Sequence, residues 1–282
     1  MRILVTGAQG RLGGQLVTVL DGQHQVTGID VDDVDITDFA AIRAYIRDVN
    51  PDVVLHPAAW TDVDGCAREP ETAITINGFG TQHIALAAAE IDAAMLYVST
   101  NEVFQGQLRR PYLEYDMQSP SNAYGYSKMV GERALMSVNP NYYIVRTAWV
   151  FAHGGRNFIQ AILGAADAGK PLRVVTDEVA NPTYNNDLAD AIAQLIETER
   201  YGIYHFTNTG ACSRYTFARY TLDQAGYNDV NVQPISSSEW QRASIPPSYA
   251  AMDNLAGRTV GITLRPWQEA VDAFLDAEGL KK

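Results

Sequence analysis

Ile3-Leu4-Val5-Thr6-Gly7-Ala8-Gln9-Gly10-Arg11-Leu12-Gly13 decides the fold. A short apolar run ends at a glycine loop, and a helical pattern over 11–20 begins within that loop. The spacing Gly7-x-x-Gly10-x-x-Gly13 is a variant of the dinucleotide-binding fingerprint. Glycines there let the chain turn tightly and let backbone N–H groups approach a pyrophosphate, where the helix N-terminus adds partial positive charge. The same glycines would also serve a plain β–α turn. The context of strand, loop and helix favours the binding reading.

Working outward, short β-branched runs at 3–6, 25–30, 52–56, 95–99 and 143–147 read as buried parallel strands. Between them, 11–20, 38–49, 71–91 and 123–137 read as helices, with Thr37 as the N-cap of the second. This alternation predicts an α/β fold, a Rossmann-type doubly wound parallel sheet with right-handed crossovers. Beyond residue 150 the pattern loosens. Helices are expected at 157–168, 187–198, 215–225 and 266–277, and short strands at 172–175, 203–206 and 232–234. Turn-rich pieces such as Ser236-Ser237-Ser238 and Ser244-Ile245-Pro246-Pro247-Ser248 separate them. We read 1–150 as a dinucleotide-binding domain and 151–282 as a smaller α/β substrate lobe with return segments to the first domain.

The 282 residues suffice for one large domain or two unequal ones. Lys and Arg total 21 against 33 Asp and Glu, a net charge of −12. That balance argues against a nucleic-acid partner and against adhesion to anionic membranes. Cys66 and Cys212 are too few for a disulfide framework and suit a reducing, cytoplasmic setting. No apolar run is long enough to span a membrane. His24, His56, His83, His153 and His205 lack metal-ligand spacing, so no metal is expected.

Asp30 closes the second predicted strand, where an acid would accept hydrogen bonds from the adenosine ribose. The following Val31-Asp32-Asp33 would repel an extra 2′-phosphate, which favours NADH over NADPH, although Arg11 could still pair with a phosphate. Asp30 also reads as a strand-end turn residue. Tyr124 and Lys128, four apart on a predicted helix, share one face. Ser99-Thr100 ends a buried strand where a hydroxyl could meet that tyrosine over the cofactor. A nearby ammonium and the positive charge of the nicotinamide would together favour the phenolate and lower the tyrosine pKa toward the working range.

With these residues in hand, the chain resembles the dTDP-4-dehydrorhamnose reductase family of extended short-chain dehydrogenases/reductases. The matching segments are Asn50-Pro-Asp-Val-Val-Leu-His-Pro-Ala-Ala-Trp-Thr-Asp-Val-Asp64, Ser99-Thr-Asn-Glu-Val-Phe104, Asn122-Ala-Tyr-Gly-Tyr-Ser-Lys128, Arg146-Thr-Ala-Trp-Val-Phe151, Ala180-Asn-Pro-Thr-Tyr184 and Gly202-Ile-Tyr-His-Phe-Thr-Asn208. The resemblance implies hydride transfer from NADH or NADPH to the C4 keto group of a nucleotide-linked 4-keto-6-deoxy sugar. It implies Tyr124 as proton donor, Lys128 on the nicotinamide ribose and Thr100 on the substrate C4 oxygen. Gly10, Arg11 and Leu12 would cradle the pyrophosphate, with Gly7 and Gly13 shaping that loop. Ala58, Ala59 and Trp60 would line the cofactor cleft beside Ser99. Trp149 would pack on the sugar or its nucleotide, and Asn101 and Glu102 would face the substrate. Trp149 and Trp60 read equally well as core tryptophans. The partner implied is a nucleotide sugar, and a homodimer is compatible.

The chain departs from the family pattern in three places. Asn101-Glu102 stands where the family has Asp-Tyr, and Glu102 matches one half of the acid–base pair of the related sugar-nucleotide dehydratases. Pro246-Pro247 lacks the family's arginine, so a cation for the substrate diphosphate must come from elsewhere or the substrate differs. Gln15 replaces a glutamate that holds magnesium in some members. Dehydratase or epimerase chemistry, or a non-catalytic NAD(P)-binding regulatory subunit, are the alternatives on the same fold.

Overall fold

Residues 1–155 and 157–282 are described by a computed structural model. Six strands build the central sheet: β1 (Arg2–Thr6), β2 (Gln25–Ile29), β3 (Val53–His56), β4 (Ala94–Thr100), β5 (Tyr142–Thr147) and β6 (Gly202–His205). All pair in parallel, in the order β6-β5-β4-β3-β1-β2. The chain leaves β1 for one side through β2 and returns to the other through β3. A crevice therefore opens beyond the carboxyl ends of β1 and β3, the point where such sheets bind ligands.

Alternation along each strand feeds two separate layers. Ile3, Val5, Leu55, Leu96 and Val145 point to one face and pack on Leu16 and Leu20 of the Arg11–Leu20 helix. Leu188, Ile192 and Leu195 of the Asn185–Ile196 helix complete that layer. Leu4, Val54, Met95 and Ile144 point to the other face, against Ile42 and Ile46 of the Phe39–Val49 helix and Ile84 of the Thr81–Ala89 helix. A strand covered on both faces has no wet side, which is why β4 is buried at every position.

A second core holds Phe151, Ile159, Leu163, Phe217, Trp267 and Phe274, together with the paired strands Leu172–Val175 and Val232–Ile235. A smaller cluster links the two regions through Val103, Phe104, Tyr112, Met129, Ala180 and Met252. No described helix is long and apolar enough to cross a membrane.

Three local expectations change. Asp38, not Thr37, caps the second helix: its carboxylate accepts from the Ala41 amide, while the Thr37 hydroxyl donates to Asp35. The carboxylate sits one residue nearer the first turn and reaches an amide that no helical carbonyl satisfies. The strand expected at 203–206 in the looser half is β6, the edge of the main sheet, because the Asn185–Ile196 helix returns the chain across the first core. The single helix expected at 71–91 is α-helical at Pro70–Ala73 and Thr81–Ala89 but a π-helix at Ile74–Gly80. The wider turn frees the Asn77 carbonyl to accept from the hydroxyls of Tyr97 (3.1 Å) and Thr81 (2.7 Å). It also seats Gly78 against Val130, where a Cβ would lie 2.8 Å from a methyl group.

The Ala123–Val138 helix is fixed to the sheet by a buried ion pair. Arg146 on β5 donates to Glu132 through Nη2 (2.7 Å) and Nε (3.0 Å), with both side chains almost wholly excluded from solvent. Ser99 on β4 and Gln118 donate to the same carboxylate, and Arg146 also donates to the Glu114 carbonyl. Removing one member of a buried, hydrogen-bonded pair strands the other charge. Glu132→Gln is therefore expected to lower the unfolding free energy by about 3–5 kcal/mol, read from urea denaturation. A loss under about 1 kcal/mol, typical of an exposed pair, would show that the pair does not anchor the helix.

Candidate active site

The glycine loop leaves the end of β1 under tight steric control. Gly7 has φ +64°, and a Cβ there would lie 2.9 Å from the Ala58 Cα. A Cβ on Gly13 would fall 2.0 Å from the Gly7 carbonyl oxygen, closer than any side chain tolerates. Gly10 is the N-cap of the first helix, and no side chain caps that end. The first amides of the helix, at Arg11 and Leu12, thus form a backbone cradle of the kind that receives a phosphate. Asp30 follows β2 and accepts from the amides of Gln9 (2.9 Å) and Val31 (2.8 Å), so one carboxylate ties the loop to the strand end.

Ala58, Ala59 and Trp60 follow β3, partly exposed at the same edge of the sheet. Asn77 fixes Trp60 from both sides. Its Oδ1 accepts from the Trp60 amide (2.8 Å), and its Nδ2 donates to the Trp60 carbonyl (3.0 Å). The same Nδ2 donates to Ser127 Oγ (2.9 Å) on the Ala123–Val138 helix. Asn77 thereby locks the loop after β3 to the helix that carries Tyr124 and Lys128. Within an apparently continuous helix, an asparagine beside a glycine was its only signal.

Asn122 starts that helix and reaches two ways. Its Oδ1 accepts from the Gly125 amide (2.8 Å), and its Nδ2 donates to Glu102 (2.6 Å). Gly125 allows close approach to the turn that follows β4: a Cβ there would lie 2.1 Å from the Glu102 carbonyl oxygen. Tyr124 is half-buried, with the Thr100 side chain near its hydroxyl. Burial, with the charges of Glu102 and Cys66 adding to it, pushes its pKa above the usual tyrosine value. Lys128 is buried, its Nζ 4.1 Å from the centre of the Tyr97 ring. Burial depresses its pKa to about 7, against the pull of Glu132. The protein's own groups thus push the Tyr124 pKa up, where the lysine and the nicotinamide charge together were expected to lower it. Desolvation weakens the ammonium that was to stabilise the phenolate, and nearby anionic groups oppose a second negative charge. The tyrosine is held in its neutral form, the form that can give a proton.

The remaining predicted residues separate by what they touch. Thr100 faces Tyr124 and accepts from the Glu102 amide (3.2 Å). Ser99 is turned to Glu132 and belongs to the buried ion-pair network. Asn101 is buried and donates to the Ala250 carbonyl (3.2 Å), bracing the return segment of the chain. Glu102 is raised above the usual carboxylate range, chiefly by burial, while the Asn122 hydrogen bond opposes that shift. Trp149 sits at φ +43°, an unusual backbone for a bulky residue, and the Arg214 guanidinium lies 3.6 Å from its ring centre. Arg11 opens the first helix, with its guanidinium next to the backbone of Gly155.

A parallel sheet with a glycine cradle at its switch point, and a tyrosine and lysine one helical turn apart beside it, defines a dinucleotide-binding α/β oxidoreductase site. Residues 1–279 match the RmlD substrate binding domain, and the chain belongs to that family. It is 38% identical over 278 residues to a dTDP-4-dehydrorhamnose reductase of Streptomyces griseus, covering 96% of this chain and 91% of the relative. Among solved structures, it is similar to a dTDP-4-dehydrorhamnose reductase of Clostridium acetobutylicum with a TM-score of 0.96 and 36% identity, covering 99% and 100% of the two chains. The Bacillus anthracis reductase, solved in complex with NADP, superposes with a TM-score of 0.93 at 34% identity, covering 98% and 99%.

Proposed function

We propose that the protein reduces the C4 keto group of a nucleotide-linked 4-keto-6-deoxy sugar, dTDP-4-dehydro-L-rhamnose to dTDP-L-rhamnose, with NADH or NADPH. The observation that carries the reading is the placement of Tyr124 one helical turn from buried Lys128 and near Thr100 at the end of β4. The RmlD-family match and the reductases similar over almost the whole chain support the choice of substrate.

The cradle suits a dinucleotide. Gly7 and Gly13 leave room that a Cβ would fill, the amides of Arg11 and Leu12 would hold its pyrophosphate, and Asp30 would hold the adenosine ribose. Lys128 would hold the nicotinamide ribose, with Ala58, Ala59 and Trp60 along the cleft. When bound, NADH or NADPH supplies the hydride that adds to C4. Tyr124 gives its hydroxyl proton to the C4 oxygen as negative charge develops there. Thr100, whose hydroxyl donates to Asn101 Oδ1 (3.3 Å), would turn to donate to the same oxygen when substrate is bound. Asn101 has no acid–base capacity and is engaged with Ala250, which leaves Glu102 without the partner that water elimination requires.

Tyr124→Phe keeps the ring and removes the proton. Its kcat is expected to fall by roughly 10²- to 10⁴-fold while NADH affinity is retained. Full activity would refute the donor role. NADH binding with no turnover of any keto-sugar by the unmodified protein would favour a regulatory subunit instead. Asp30→Ala is expected to raise KM for NADH more than for NADPH, since only the unphosphorylated ribose offers both hydroxyls to a carboxylate. Equal losses would mean that Asp30 acts only through its bonds to Gln9 and Val31.

A further inference from the structure

Position 246 is a proline, yet Arg242, four residues earlier, and Arg214, from a distant helix, converge on one carboxylate. Glu178 is buried, and Arg242 donates to its Oε1. The Arg214 Nε lies 3.9 Å from its Oε2. One carboxylate thus faces two guanidinium groups, each about one-quarter exposed, with Glu102 the next acid within electrostatic reach of both.

The cluster adjoins the catalytic helix. Arg242 lies on a strap that crosses to the first core. The Ser244 amide donates to Asp64 (2.8 Å), and the Ile245 carbonyl accepts from Asn122 (3.3 Å), the residue that also binds Glu102. The Ser244 hydroxyl on this strap is buried without a hydrogen-bond partner among the described residues. On the other side, Arg214 is stacked on Trp149 at its left-handed backbone position. Such strain persists only where surrounding structure enforces it, and it concentrates at ligand sites. The cations therefore stand between the reacting end, marked by Glu102 and Asn122, and an aromatic ring.

We propose that Arg214 and Arg242, paired through Glu178, receive the diphosphate of the nucleotide sugar in place of the arginine missing at Pro246. The assignment rests on the reductase reading and deepens it. A planar guanidinium fits phosphate oxygens in a two-pronged geometry, and Glu178 pre-positions both groups. The stack with Arg214 holds the Trp149 ring where a nucleotide base or sugar can lie against it.

The test is calorimetric titration of the full chain with thymidine diphosphate, thymidine and NADPH, using the unmodified protein and the variants Arg214→Gln, Arg214→Lys and Arg242→Gln. Each Gln variant is expected to weaken thymidine diphosphate binding by about tenfold or more, with NADPH affinity kept as the control for folding. Arg214→Lys should recover part of the loss, and thymidine should discriminate little between the proteins. KM for the keto-sugar nucleotide should rise more than kcat falls. Unchanged thymidine diphosphate affinity in both Gln variants, alongside turnover by the unmodified protein, overturns the subsite alone. An unmodified protein that binds NADPH but no thymidine diphosphate overturns both the subsite and the substrate class.

Discussion

The Arg146–Glu132 pair is the constraint on which the site depends. Glu132 lies one helical turn beyond Lys128 and two beyond Tyr124, so it fixes the rotation of the helix that presents both. Arg146 ties that helix to β5, and Ser99 ties it to β4. A helix held only by apolar contact could slide or rotate by fractions of a turn. A two-pronged ion pair with further donors on the carboxylate has one geometry. Its desolvation is costly, so its worth here is specificity of position.

The same helix is held at its other contacts by amides. Asn122 at its start binds Glu102, and Ser127 in its second turn binds Asn77 of the π-helical turn. Asn77 in turn holds Trp60 after β3. Loop, π-turn and catalytic helix therefore move together. The proposed cofactor cleft and proton donor are thereby linked by hydrogen bonds, which suits chemistry whose rate depends on placement to within an ångström.

Much of this was legible in the sequence because local rules and global fold agree. The β-branched runs give five of the six main strands to within a residue or so at either end, and the glycine loop has the steric necessity that its spacing implies. Tyr124 and Lys128 share one helix, as their spacing implies, and Thr100 ends β4 near Tyr124. What the sequence concealed were long-range relations. β6 looked like part of a looser half because nothing local reports that a strand joins a distant sheet. The π-turn was invisible because its cause, the packing of Gly78 on Val130 and the bonds of Asn77, is tertiary. Ser99 seemed to face the cofactor, but its partner Glu132 is fixed only in three dimensions. Arg214, Glu178 and Arg242 lie far apart in the chain and carry no motif. The lysine–tyrosine electrostatics were misread for a related reason: spacing gives proximity, while burial decides which protonation state wins.

The most direct test of the central claim is a crystal structure of the protein with NADP and dTDP-rhamnose bound together. The account predicts the Tyr124 hydroxyl within hydrogen-bonding distance of the sugar O4, Lys128 on the nicotinamide ribose, and the nicotinamide C4 facing the sugar C4. A ternary complex with the Tyr124 and Lys128 side chains directed away from the nicotinamide would contradict it.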